Sequence, residues 1–165
     1  DFGASTTSIS VFEEDKLIYT KVLPVGGIHI SNDIALWLTI PFNEGENIKI
    51  NLGSAYAQKI DKKEMVNLGN FVEGECKNFS RRELSEVIQA RIEEIFDFIN
   101  EELKQIGKYA KLPGGAVLYG GGANLPDITE LAREKLKLSA HIAHPQFDGL
   151  TETDPSFVNV VGSVK

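Results

Sequence analysis

The chain has 165 residues, 42% of them hydrophobic and 25% charged, with a net charge of −7 and a pI near 5.0. This composition supports one compact domain or two small subdomains with real cores, and the acidic balance opposes a nucleic-acid partner, whose phosphates are held by clustered Lys and Arg. No apolar run approaches the roughly 20 residues that span a bilayer, and the single cysteine at 76 and the histidines at 29, 141 and 144 offer neither a disulfide nor a metal-ligand spacing, so a soluble protein of a reducing cytoplasm is expected.

Asp1-Phe2-Gly3 reads as the end of a strand entering a turn, with no hydrophobic strand before it, and the chain is read as a piece of a longer protein. Residues 8 to 12 alternate polar and apolar, and Lys16 to Leu23 follows the acidic turn Glu13-Glu14-Asp15, which predicts a β-hairpin. Pro24-Val25-Gly26-Gly27 breaks the strand, and Ile28 to Leu38 carries Ile30, Ile34 and Leu38, with Trp37 nearby, at helical spacing. After Pro41, Phe42 to Leu52 reads as a short helix ending at Gly53, expected in the left-handed conformation. Residues 55 to 79 give only weak strand signals, around 63 to 66 and 70 to 73. Ser80-Arg81-Arg82-Glu83 is a capping-box pattern, and Leu84, Ile88, Ile92, Ile95, Ile99, Leu103 and Ile106 form one apolar stripe ending at Gly107: a long amphipathic helix. Ala116 to Tyr119 is a strand entering Gly120-Gly121-Gly122, and Asp127 to Leu136 a helix. Pro145, Gly149 and Pro155 punctuate the tail before a closing helix from about Ser156 to Val164. The alternation predicts an α/β class.

Three constellations carry chemistry. Asp1 to Thr7 (Asp-Phe-Gly-Ala-Ser-Thr-Thr) puts a carboxylate, small residues and hydroxyls in a tight turn whose amides can converge on phosphate oxygens, although an ordinary Ser/Thr turn has the same composition. Gly120, Gly121 and Gly122, followed by Asn124, remove every Cβ that would block a flat ring or a phosphate; close helix–strand packing is the plainer reading. Glu46 and Lys49 lie three apart and share a helix face that can grip a ribose and an adenine edge, or form a solvated ion pair. His29 is read as a helix-start histidine and Cys76 as incidental, with no neighbouring histidine.

In order, these elements resemble the second half of the superfamily of actin, the sugar kinases and the large heat-shock chaperones, and several stretches resemble the bacterial cell-division family FtsA in particular. They are Lys21 to Gly27 running through Ile30 to Ala35, Phe42 with Glu46, Ile48-Lys49 and Gly53-Ser54-Ala55, Pro113 to Leu118, His144-Pro145, Gly149-Leu150 and Asp154 to Phe157. Ser8 departs from that pattern where many relatives carry a second acid, as do Ala4-Ser5, which replace a glycine pair, and Gly162-Ser163-Val164 at the chain's end.

The resemblance implies an actin-like (ribonuclease H-like) core subdomain, residues 1–40 and 112–165, with an inserted small α+β subdomain at 41–111. It implies ATP and Mg²⁺ held against a missing half: Asp1 on the metal, Gly3, Ala4, Ser5, Thr6 and Thr7 on the β- and γ-phosphates, Gly26-Gly27 bordering them, and Glu46, Lys49, Gly120 to Gly122 and Asn124 on the nucleoside. It further implies slow or absent hydrolysis, polymerisation with itself, contacts with other divisome proteins, and membrane attachment through segments outside this chain, at the cytoplasmic face of the division site. Arg91, beside the long helix's apolar stripe, is either a paired surface charge or, by the resemblance, a contact for the C-terminal peptide of FtsZ. A pilus-assembly adaptor and a sugar or metabolite kinase are the rival readings.

Overall fold

The computed structural model describes residues 1–145 and 154–164. The expected hairpin is β1 (Thr7–Glu13) and β2 (Lys16–Leu23), antiparallel from Thr7↔Leu23 to Glu13↔Lys16 with an irregular step between Val11 and Phe12. Glu14 and Asp15 both take positive φ (48° and 60°), the conformation a two-residue hairpin turn requires. Ile9 and Val11 turn inward and are buried, while Ser10 is exposed on the opposite face.

Helix α1 (Gly27–Leu38) buries Ile30, Ile34 and Leu38 along one stripe and places Trp37 edge-on to Phe79 with ring centroids 5.9 Å apart. Helix α2 (Phe42–Leu52) crosses α1 closely at Gly45, where a Cβ would stand 2.6 Å from the Ser31 carbonyl oxygen. Gly53 corrects an expectation: its backbone is extended (φ −63°, ψ 147°), not left-handed. Crowding explains this glycine instead, since a Cβ would collide with the Lys49 carbonyl and lie 3.1 Å from the Ile88 side chain.

The ambiguous stretch holds one small antiparallel pair, β3 (Met65–Asn67) with β4 (Asn78–Ser80). The first expected strand is close to its place. The second is not, because the Asn67 side chain accepts from the Gly69 amide and folds Leu68–Asn70 into a 3₁₀ turn. The long helix α3 (Arg81–Gln105) follows, with Ser80 Oγ accepting from the Glu83 amide at 3.4 Å. Its stripe is buried at Leu84, Ile88, Ile92, Ile95 and Leu103 and half-buried at Ile99. Each fully buried Leu or Ile contributes about 1.5–3 kcal/mol, so this face dominates the core.

Strand β5 (Ala116–Leu118), helix α4 (Ile128–Leu136) and strand β6 (Ala140–Ile142) form a parallel strand–helix–strand unit in the register Ala116↔Ala140 to Leu118↔Ile142. Strand β6, three residues long, has no signal in the sequence. The closing segment is a 3₁₀ turn at Pro155–Phe157 leading into α5 (Val158–Val164); Gly149 and Leu150 lie outside the described residues. Helix α3 packs on α1 and α4, and one buried cluster runs from Phe2 to Ala140. No described helix is long and apolar enough to cross a membrane.

Candidate functional site

Four segments distant in sequence meet at the N-terminal loop. Gly3 donates its amide to Thr6 O (2.9 Å), closing the tight turn, and Phe2 is bonded on both sides of the glycine run: its amide donates to Tyr119 O (2.7 Å) and its carbonyl accepts from Gly122 N (2.8 Å). The Gly26-Gly27 turn docks on the same loop through Gly27 N to Gly3 O (3.0 Å) and Ile28 N to Ala4 O (2.9 Å). Gly26 is a packing glycine, since a Cβ there would meet Gly3 O at 2.6 Å and Ala4 O at 2.7 Å. From α2, Lys49 Nζ donates to Gly27 O (3.0 Å) and Ser31 Oγ (2.8 Å) and pairs with Glu46 at 2.8 Å. The result is a cleft of about 200 Å³ lined by Gly3, Ala4, Gly27, Lys49, Gly121 and Asn124, with Ile28, Ile50 and Leu125 as apolar walls.

The three consecutive glycines have different duties. At Gly120 φ is +88° and a Cβ would strike the Asp1 carboxylate; at Gly122 it would overlap the Phe2 ring. At Gly121 it would meet nothing within 4 Å. Only Gly121 therefore leaves its space to a ligand.

The hydroxyls divide similarly. Thr7 is buried and donates to Val25 O (2.8 Å), fixing the loop to the strand end, while Ala4, Ser5 and Thr6 are exposed. The amides of Ala4, Ser5 and Thr6 have no acceptor among the described residues. The Asp1 carboxylate accepts from Asn159 Nδ2 (2.8 Å), and Asn124 Nδ2 donates to Asp154 (2.7 Å), which also accepts from the Ser156 amide. The bond from Asn124, then that from Ser156, holds the Asp154 carboxyl below its ordinary value.

Burial by itself would push Glu46 up, but bonds from Lys49 and Ser31 outweigh it and leave its carboxyl below the ordinary value. Ser31 is the residue that sequence reasoning missed. Fully buried, its single hydroxyl proton can go to Glu46 or to Gly27 O (3.1 Å), while its oxygen accepts from Lys49. Its position four residues after Gly27, on the α1 face turned to α2, was the available signal.

Arg91 is not at the cleft. Its Nε and Nη2 donate to both carboxylate oxygens of Asp33 on α1 (2.7 and 2.9 Å), and Nη1 pairs with Glu94. These contacts, Asp33 first, hold the guanidinium above its ordinary value. Of its two expected roles, Arg91 thus shows that of a paired charge. His29 behaves as a helix-start residue, its Nδ1 accepting from the Gly26 amide at 3.1 Å, and Cys76 is exposed.

The cleft offers the unpaired Ala4 amide for a phosphate oxygen and, at Gly121, a Cβ-free face for a flat ring, so its residues fit part of a nucleotide. A metal fits less completely. No group of three His, Cys, Asp or Glu side chains is placed to hold one among the described residues, and Asp1 by itself suits Mg²⁺ only when phosphates complete the shell.

A family model described as "Cell division protein FtsA" matches residues 1–162. The cell division protein FtsA of Bacillus subtilis (strain 168) is 34% identical over 165 residues, 100% of this chain and 37% of that protein. That of Enterococcus faecalis is 36% identical, again over 100% of this chain and 37% of the other. This chain spans a little over a third of the length of these curated relatives. Among solved structures, MreB5 of Spiroplasma citri bound to ADP superposes with a TM-score of 0.74 at 19% identity, over 99% of this chain and 50% of that one. At that identity the likeness is one of fold.

Proposed function

Because this chain belongs to the FtsA family of cell division proteins and has the actin-like fold, we propose that it is the nucleotide-binding C-terminal half of a division protein that polymerises with bound ATP. The β- and γ-phosphates rest on the amides of Ala4, Ser5 and Thr6, with Gly3 and Gly27 beneath. The nucleoside passes Gly121 toward Lys49, and Asp1 holds Mg²⁺ or its water. Residues 1–40 and 112–165 act as a core subdomain, and 41–111 as a smaller insertion that brings Glu46 and Lys49 to the ligand.

One observation supports this reading: Ala4, whose amide is unpaired and which leads into the exposed turn at Ser5 and Thr6, lines the same cleft as the single unobstructed glycine of the triplet, Gly121. The cleft, about 200 Å³, is smaller than the roughly 300–1,000 Å³ that encloses a drug-sized ligand. A site of that size fits half a nucleotide, with the remainder covered by the other half of the protein.

In the cell, this function places the protein at the cytoplasmic face of the division site, attached to the membrane through segments outside this chain. Its partners are other copies of itself, other divisome proteins and the C-terminal peptide of FtsZ. An acidic peptide reaching Arg91 would have to take the place of Glu94, because Asp33 holds the other edge of the guanidinium.

Calorimetry with ATP and Mg²⁺ tests the reading. The full-length protein binds and sediments as polymer when ATP is present, whereas the 165-residue chain by itself binds at least about tenfold more weakly, about 1.4 kcal/mol, and releases no phosphate. Steady turnover by the isolated chain would remove the divided site.

A further inference from the structure

Asp127 departs twice from what an aspartate at the start of a helix ordinarily does. It stands at the N-cap of α4, a position whose backbone is typically extended and whose side chain accepts from the helix's first amides. Here the backbone is left-handed, φ 65° and ψ 9°, and the carboxylate caps nothing. Positive φ at Glu14 and Asp15 makes the hairpin turn, and at Thr39 and Lys137 it follows the ends of α1 and α4. No such reason applies at a helix start.

The carboxylate is committed elsewhere. Its Oδ2 accepts from Ser54 Oγ (2.9 Å) and its Oδ1 from Lys59 Nζ (2.6 Å), partners 73 and 68 positions earlier in the chain. Ser54 is fully buried, and its oxygen accepts from the Tyr56 amide (3.2 Å), so its one proton is left for Asp127. Beside this pair the Ala55 amide donates to Pro126 O (2.8 Å). Gly53 packs on the same segment, since a Cβ there would lie 3.0 Å from Leu125 Cδ1. Gly53-Ser54-Ala55 thus grips Leu125-Pro126-Asp127, and Leu125 and Pro126 are walls of the cleft that holds Gly121.

An L residue in the left-handed region is strained, although Asp tolerates it better than most, and such a conformation persists only where its surroundings over-determine it. The bonds from Ser54 and Lys59 are those surroundings. The turn at 127 sets the direction in which the chain leaves the cleft wall and enters α4, so whatever holds the turn holds the wall. We propose that Asp127 is a positioning residue of the cleft, a latch through which Ser54 and Lys59 fix the Leu125-Pro126 wall against a nucleotide. The ligand half of this inference rests on the nucleotide reading of the cleft; the latch itself does not. Glycine reaches the same turn without strain, so Asp127→Gly should free the wall from its dependence on Ser54 and Lys59.

Calorimetry with ATP and Mg²⁺ on the full-length protein, paired with amide exchange in the absence of nucleotide, tests both halves. Ser54→Ala should weaken ATP binding roughly tenfold, as the loss of a bond to a charged group does. Asp127→Ala, which keeps the strain and loses the latch, should weaken it at least as much. Asp127→Gly should bind within about twofold of wild type, and adding Ser54→Ala to it should change nothing further, because residues that act through one another are not additive. Glu130→Gln, which shares Lys59 but not the turn, should melt earlier with unchanged affinity. Without nucleotide, the Ala55 amide should exchange at least about tenfold faster in Ser54→Ala and in Asp127→Ala than in wild type. An equal loss of affinity from Ser54→Ala in the wild-type and Asp127→Gly backgrounds, or Ala55 exchange indifferent to both substitutions, would overturn the latch. If the unaltered protein binds no ATP, the nucleotide reading falls and Ala55 exchange decides the latch by itself; if Asp127→Ala does not fold, Ser54→Ala decides.

Discussion

A methyl group placed at Gly122 would overlap the Phe2 ring, whereas at Gly121 it would meet nothing within 4 Å. Neighbouring glycines should therefore fail in opposite ways. Gly122→Ala should lower stability by about 1–3 kcal/mol, the cost of overpacking, seen as an earlier melting transition. Gly121→Val should change stability by less than about 0.5 kcal/mol, as surface substitutions do, yet cost at least about tenfold in ATP affinity, or about 1.4 kcal/mol, by fluorescence titration of the full-length protein. If Gly121→Val unfolds the chain, the whole triplet serves packing. The triplet itself was legible in the sequence, but its division of labour was not, because Gly122 answers to Phe2, 120 positions earlier. Thr7 shows the same limit. A hydroxyl beside Thr6 reads as a phosphate ligand until its bond to Val25 O is known.

At the scale of helices, Arg91 ties α3 to α1 through Asp33, with only 28% and 23% of the two side chains exposed. Hydrogen bonds to charged groups contribute about 1.5–3 kcal/mol, and partial exposure reduces this to about 1 kcal/mol. Asp33→Ala and Arg91→Ala should each lower stability by about that much, measured by urea unfolding. With a labelled C-terminal peptide of FtsZ, Arg91→Ala should weaken binding roughly tenfold and Asp33→Ala should not; equal losses would assign Arg91 to holding the helices alone. A second link joins the 3₁₀ turn at Ala57–Lys59 to α4, where Lys59 bonds Asp127 (2.6 Å) and Glu130 (2.9 Å). The bond from Lys59, then that from Thr129, brings the Glu130 carboxyl from its ordinary 4.5 to about 2. Its folded value is depressed, so its stabilising effect is complete above about 4.5 and fades as pH falls toward about 2. Urea midpoints of wild type and Glu130→Gln should accordingly converge over that interval, and a gap that stays constant would sink the assignment. Periodicity made α3 legible from its stripe alone. Strand β4 was hidden because its pairing depends on the Asn67-capped turn between the strands, and local pattern carries no such information.

For the whole molecule, the order of strand, glycine turn and helix, met twice along the chain, made the α/β class legible, because it follows from local signals repeated in sequence. What joins the repeats was not legible: Phe2 between Thr7 and Tyr119, Lys49 on Gly27, and Asn159 on Asp1 are contacts across 100 residues or a crossing of helices. The junction of Phe2 with Tyr119 and Gly122 has a consequence for synthesis. Gly121 leaves the ribosome 118 residues after Gly3, which at about 5–20 residues per second is a delay of roughly 6 to 24 s. Throughout that interval the loop at residues 3–6 has only the Gly26-Gly27 turn to hold it, and the Phe2 ring has no slot to enter. On the proposed reading, the cleft that takes the nucleotide is therefore incomplete in a nascent chain until residue 121 of the 165 has emerged.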